Sequence, residues 1–222
     1  MKKPFRNGTF WLVFVTFVLI TVTGIVFRQL WYRILPLYIS LFVMLLQTRA
    51  NRYAFLLGGL NSILYAIVSF SLSLYGSGIH TLLVSFPMQV LTFIRWNKKS
   101  YGNSTVLKRL TNLQRLYCLI GFGLLWTVQY FVLSSVGSGY ILLDNTLTIL
   151  GLAGTVFSLL RLIEYPFISI ISSIINLVLY IAMLKEHPGQ MTYVVYTVYS
   201  LICCVISLRF MTKLYKKQNS ES

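Results

Sequence analysis

Acid is what this chain has least of. Asp and Glu together supply 4 of its 222 residues, and all charged residues make up 10%. Soluble domains carry about 25% charged residues, so the charged surface that a soluble protein of this length needs is absent. Histidine is scarcer still. The pattern puts His80 and His187 in separate loops, which leaves no metal-ligand cluster and no acid–base pair for catalysis. No nucleophile has a base within reach, so no catalytic residue, metal or cofactor is expected. The three cysteines, Cys118, Cys203 and Cys204, fall inside apolar runs without C-x-x-C spacing and read as small buried hydrophobes.

What the chain does have is apolar surface: 57% hydrophobic residues and a mean hydropathy of +0.75. Its 19 Lys and Arg give a formal net charge of +15. Such a balance suggests nucleic acid only when it decorates a folded soluble surface. Here the basic residues punctuate hydrophobic runs, and nucleic-acid binding is excluded. The fold class is an all-α polytopic membrane protein in the cell membrane, with the lipid bilayer as its main partner. The long run after Met1-Lys2-Lys3 has no small-residue cleavage site, so it reads as a retained span.

Charges and turn residues divide the chain into eight spans, each near the ~20 residues that cross a bilayer core. They are Phe10 to Phe27, the stretch between Arg33 and Arg49, two spans within Tyr53 to Ile94, Leu116 to Val136, Tyr140 to Leu160, Glu164 to Leu184, and Met191 to Leu208. Tyr75-Gly76-Ser77-Gly78 is the expected break between the third and fourth, and Gly137-Ser138-Gly139 ends the fifth. With both termini cytoplasmic, the inside receives Lys2, Lys3, Arg6, Arg49, Arg52, Arg95, Lys98, Lys99, Lys108, Arg109, Arg115, Arg161, Arg209, Lys213, Lys216 and Lys217. The outside receives Arg28, Arg33 and Lys185. Sixteen against three strongly satisfies the positive-inside rule. The basic loop Asn97 to Gln114 reads as topogenic, with anionic lipid as the alternative contact.

A shift of 115 residues lays Leu60-Asn61-Ser62-Ile63-Leu64-Tyr65 on Ile175-Asn176-Leu177-Val178-Leu179-Tyr180. Each copy occupies the middle helix of a three-span group, four spans apart, so the copies face the same way. The expected architecture is therefore two parallel three-helix repeats joined by a linker helix, a 3+1+3 SWEET-like arrangement plus an extra N-terminal helix. Its segments are 1–30 (extra span), 31–96 (first repeat), 97–139 (loop and linker helix), 140–211 (second repeat) and 212–222 (tail). In each copy Asn and Tyr are four residues apart and share a helix face. Asn61, Tyr65, Asn176 and Tyr180 then either line a midplane binding site or bond neighbouring helices. Gln129 is a further mid-span amide, and Tyr193, Tyr196 and Tyr199 form a stripe that offers Tyr196 to the same site or serves packing. Asp144 lies near an outer span end, and Glu164 lies at an inner one with Arg161 spaced to pair with it. No acid sits at mid-membrane, which favours facilitated diffusion over proton symport.

Asn51-Arg52-Tyr53-Ala54-Phe55, Gly58-Gly59-Leu60-Asn61-Ser62-Ile63-Leu64-Tyr65, Leu74-Tyr75-Gly76 and Phe86-Pro87-Met88-Gln89, with Trp96 following, resemble the PnuC family of vitamin transporters. The resemblance is good from Arg49 to Arg109 and weaker over the last three spans. It implies the 3+1+3 fold, a homotrimer, and Gln89 as a substrate-binding residue. It also implies facilitated uptake of a vitamin precursor or nucleoside such as nicotinamide riboside, trapped by cytosolic phosphorylation. The Trp-rich stretch that opens the family's seventh span reads Glu164-Tyr165-Pro166-Phe167-Ile168-Ser169 here, leaving Tyr165 and Phe167 to stack on a ring. Thiamine, riboflavin and deoxynucleosides are the alternative cargoes, and a membrane enzyme or a receptor is the rival class.

Overall fold

The computed structural model describes residues 4–137 and 140–221. Lys2 and Lys3 of the inside count, and the Ser138-Gly139 end of the fifth span, lie outside the described residues. The chain folds into α1 (Pro4–Val26), α2 (Trp31–Gln47), α3 (Tyr53–Ser71), α4 (Tyr75–Lys98), α5 (Asn112–Val136), α6 (Ile141–Leu159), α7 (Tyr165–Met183) and α8 (Met191–Glu221). Six of these, α3 to α8, are long and apolar enough to cross a membrane, and α1 and α2 contribute shorter apolar stretches. At 1.5 Å per residue the 17 residues of α2 reach about 26 Å, slightly less than a ~30 Å hydrocarbon core.

Six helices close a ring in the order α2, α3, α4, α6, α7, α8 and back to α2. Helix α1 lies outside it against α8 and α2, and α5 packs on α6. The ring is tied by polar groups that cross between apolar faces. Tyr193 and Tyr199 of α8 donate to the carbonyls of Arg33 (2.7 Å) and Leu41 (2.8 Å) on α2. Ser207 donates to Gln47 O at 2.9 Å. These bonds sit among Leu37, Leu41, Leu179, Met183 and Cys203, all buried.

Three features differ from the sequence expectation. Tyr75-Gly76-Ser77-Gly78 is not the break between the third and fourth spans but the first turn of α4. The chain reverses at Leu72–Leu74, where Ser73 is left-handed (φ 56°). The cause is Asp144 of α6, fully buried, whose carboxylate accepts from the amides of Gly76 and Ser77 (both 3.0 Å) and from the Ser77 hydroxyl. A carboxylate there satisfies amides that a helix start leaves unpaired and complements its dipole. Within α4, His80–Ser85 widens into a π turn in which Phe86 N donates to Thr81 O. The turn precedes Pro87, which has no amide hydrogen to give to an earlier carbonyl.

Helix α8 also continues well past Leu208, and the basic loop is folded against that extension. Ser100–Tyr101 (β1) pairs with Ser104–Thr105 (β2) across Gly102 at φ 57°. Gln218 accepts from Leu107 N (2.9 Å) and donates to Thr105 O (3.0 Å), acting as one rung of a sheet. Leu107 is thereby buried with Ala50, Phe55, Trp96 and Met211 at the basic end of the ring. The third difference is an ion pair. Glu164 binds Arg115 at 2.9 Å, not Arg161, whose backbone is left-handed at φ 62°. Arg115 is 42% exposed, so the pair contributes about 0–1 kcal/mol.

Candidate functional site

A cavity of about 380 Å³ occupies the centre of the ring. That size is within the range of small-molecule sites, ~300–1,000 Å³. Its wall combines amides, hydroxyls and tyrosines with aliphatic side chains such as Val43, Leu147 and Ile168, and none of the described lining residues is Asp, Glu, Lys or Arg. Helix geometry explains how an apolar bundle acquires such a wall. Ser77, Thr81, Ser85 and Gln89 recur at four-residue steps along α4, and Ser169, Ser173, Asn176 and Tyr180 recur along α7. Two of these hydroxyls donate to a carbonyl one turn back, Thr81 to Ser77 O at 2.6 Å and Ser169 to Tyr165 O at 3.2 Å. Each helix carries such residues across the membrane with its own backbone as partner.

Asn61 is 3% exposed and its amide nitrogen is fully engaged, donating to Pro36 O (2.9 Å) and Ser40 Oγ (2.8 Å) on α2. Ser40 in turn donates to the Tyr65 hydroxyl at 3.1 Å. Asn61 and Tyr65 thus share one face of α3 and join it to α2 through Ser40. The Asn61 carbonyl oxygen is buried without a partner among the described residues. Gln89 donates to Ser85 Oγ (2.9 Å) and Ser62 Oγ (3.0 Å), and its oxygen lies directly over Gly58. A Cβ at Gly58 would sit 2.3 Å from that oxygen. Gln89 therefore both lines the cavity and bonds two helices.

The α7–α8 side of the wall is looser. Asn176 is half-buried on the wall and has no hydrogen-bond partner among the described residues. Tyr180 packs on Tyr193 with ring centroids 5.1 Å apart. Tyr196 lines the cavity, whereas Tyr193 and Tyr199 are the struts to α2. The ring brings Asn61, Tyr65, Gln89, Asn176, Tyr180 and Tyr196 to one wall. Gln129 is not among them; it lies on α5, outside the ring.

Of the two aromatics opening the seventh span, Tyr165 reaches the cavity and Phe167 does not, being 53% exposed. Tyr165 stands 6.2 Å from Phe55, which packs edge-on against Trp96 at 4.6 Å. The Trp96 indole donates to Ser158 O at 2.8 Å, fixing this aromatic floor at the basic end. The sequence reading missed two kinds of lining residue. The Ser/Thr stripes were visible as polar residues at helical spacing. His80, assigned to a loop, sits within α4 and faces the cavity.

A family model described as nicotinamide mononucleotide transporter matches residues 30–211. No curated protein matches the chain. Among solved structures, a crystal structure titled as that of the vitamin B3 transporter PnuC superposes with a TM-score of 0.79 at 22% identity. It covers 92% of this chain and 90% of that one. At that identity the likeness establishes a shared fold.

Proposed function

Because this chain belongs to the nicotinamide mononucleotide transporter (PnuC) family, we propose that it carries a nicotinamide-type vitamin precursor, with nicotinamide riboside the leading candidate. The route is facilitated diffusion through the central cavity, and cytosolic phosphorylation traps the cargo. One observation carries this reading: a 380 Å³ cavity whose wall sets amides, hydroxyls and aromatic rings among aliphatic side chains, with no Asp, Glu, Lys or Arg among its described residues. Hydroxyl and amide groups pair with a ribose and a carboxamide. Tyr65, Tyr165, Tyr180 and Tyr196 offer faces to a pyridinium ring. A phosphate would find no cation to neutralise it there, which favours the nucleoside over the nucleotide. An acid to relay protons is likewise lacking on this wall, in keeping with passive transport.

The architecture proposed for this task is eight spans with both termini cytoplasmic, assembled as two parallel repeats around α5 and as a homotrimer. Support for the repeats comes from equivalent pairs on the wall. Asn61 and Tyr65 correspond to Asn176 and Tyr180, and Ser85 corresponds to Ser200. Orientation is supported by basic residues gathered at one end of the ring. The decisive experiment is uptake into proteoliposomes of labelled nicotinamide riboside, with thiamine, riboflavin and deoxynucleosides as competitors. Saturable flux of unchanged substrate, insensitive to an imposed proton gradient, is expected. Chemical conversion of the substrate, or flux that requires the gradient, overturns the reading.

A further inference from the structure

His80 is the cavity-lining side chain whose chemistry has no use so far. It stands in the wide turn of α4 and rests on Gly151 of α6, where a Cβ would lie 2.8 Å from its Cε1 and 3.2 Å from its Nδ1. Its Nε2 is buried and has no hydrogen-bond partner among the described residues. A buried imidazole nitrogen left unpaired is costly, and folded proteins nearly always give such groups a partner. The titratable side chains of the helices packed on this turn are Tyr53 and Tyr65 of α3 and Asp144 of α6. Tyr53 is at the far end of α3, Tyr65 takes the Ser40 hydroxyl, and Asp144 takes Gly76 and Ser77. Across the cavity are Tyr165, Tyr180, Tyr196 and Cys204.

We propose that His80 is a substrate-binding residue, whose neutral imidazole hydrogen-bonds a hydroxyl or carboxamide of the carried molecule. The inference rests on the transport reading above and adds the group that distinguishes protonation states of the site. A neutral imidazole presents one donor and one acceptor, which suits an uncharged polar group. An imidazolium presents two donors and a positive charge, in a cavity with no carboxylate on its wall to offset it. Protonated His80 therefore repels a pyridinium.

The test is calorimetric titration of nicotinamide riboside into the purified full chain, its His80→Gln and its His80→Leu variants, with thermal melting of each without ligand. His80→Leu is expected to weaken binding about tenfold or more, the equivalent of one lost hydrogen bond at a buried polar site. Its ligand-free melting temperature should be unchanged or higher, because an unpaired buried nitrogen is gone. His80→Gln, which keeps a donor and an acceptor, should bind between the two. Unchanged binding in His80→Leu overturns the proposal. So does a lowered ligand-free melting temperature with affinity kept, which marks a purely structural residue. If the wild type binds neither nicotinamide riboside nor the three competitors, the transport reading fails separately. The ligand-free melting of His80→Leu then decides on His80, since a fall in it assigns the ring to the fold.

Discussion

Gly58→Ala should damage this protein only while Gln89 is present. An added methyl would lie 2.3 Å from the Gln89 side-chain oxygen, far inside contact distance, while its next neighbour, Val43, is an ordinary 3.5 Å away. Gln89 must then leave, and its bonds to Ser62 (3.0 Å) and Ser85 (2.9 Å) go with it. Two neutral hydrogen bonds at about 0.5–1.5 kcal/mol each put the loss at roughly 1–3 kcal/mol. If that loss falls on the bound state, affinity drops by about five- to a hundred-fold. In a Gln89→Ala background the obstructing oxygen is gone. The same Gly58→Ala change should then be neutral or stabilising by about 0.5–1 kcal/mol, the usual gain from alanine over glycine inside a helix. The assay is a double-mutant cycle: thermal stability and nicotinamide riboside affinity for the wild type, both single variants and the double variant. A coupling energy near the full single-mutant loss, with reversed sign of the Gly58→Ala effect, is the expected result. Additive effects would refute the reasoning, because they would mean that alanine at position 58 harms the protein by some route other than Gln89.

The two asparagines should part company. Asn61→Ala, which breaks bonds to Pro36 O and Ser40, should lower melting stability by roughly 1–3 kcal/mol. Asn176→Ala should leave melting within about 0.5 kcal/mol while weakening ligand binding, as calorimetry would show. Gln129→Leu, on the outer helix α5, should leave uptake kinetics unchanged. Gln218→Ala should speed hydrogen exchange of the Leu107 amide, which now donates to Gln218, without altering substrate affinity. A cysteine at Lys185 should react with an impermeant maleimide in intact cells, and one at Lys213 only after permeabilisation; the reverse pattern inverts the proposed orientation.

Much of the helical outline was legible because a bilayer imposes it. A span needs about twenty apolar residues, and charges such as Arg49, Arg115 and Arg161 have to stay near its ends. What escaped were features decided between distant residues. The start of α4 depends on a carboxylate 67 positions later in the chain, at Asp144, so Tyr75-Gly76-Ser77-Gly78 looked like a turn and His80 was left in a loop. The length of α8 depends on Leu107 and Trp96, which bury Met211 from another part of the sequence. At the cavity, the asparagines stood out because an amide in an apolar run is conspicuous. Serine and threonine are ordinary in transmembrane helices, so their convergence on one wall showed only when six helices were placed around it. Gln129 looked equivalent to Gln89 in the sequence, yet α5 lies outside the ring.

A cavity wall without fixed charge also has an electrical consequence. Under the proposed passive route such a site brings no countercharge along, so each molecule carried moves only its own charge through the membrane field. A neutral nucleoside would equilibrate at equal concentrations on both sides, whatever the voltage. A singly positive pyridinium would be drawn inward by about 2.3 kcal/mol per 100 mV, which corresponds to a roughly fiftyfold accumulation. Under the proposed passive route the voltage would then do the concentrating, and a voltage clamp would register cargo charge as current.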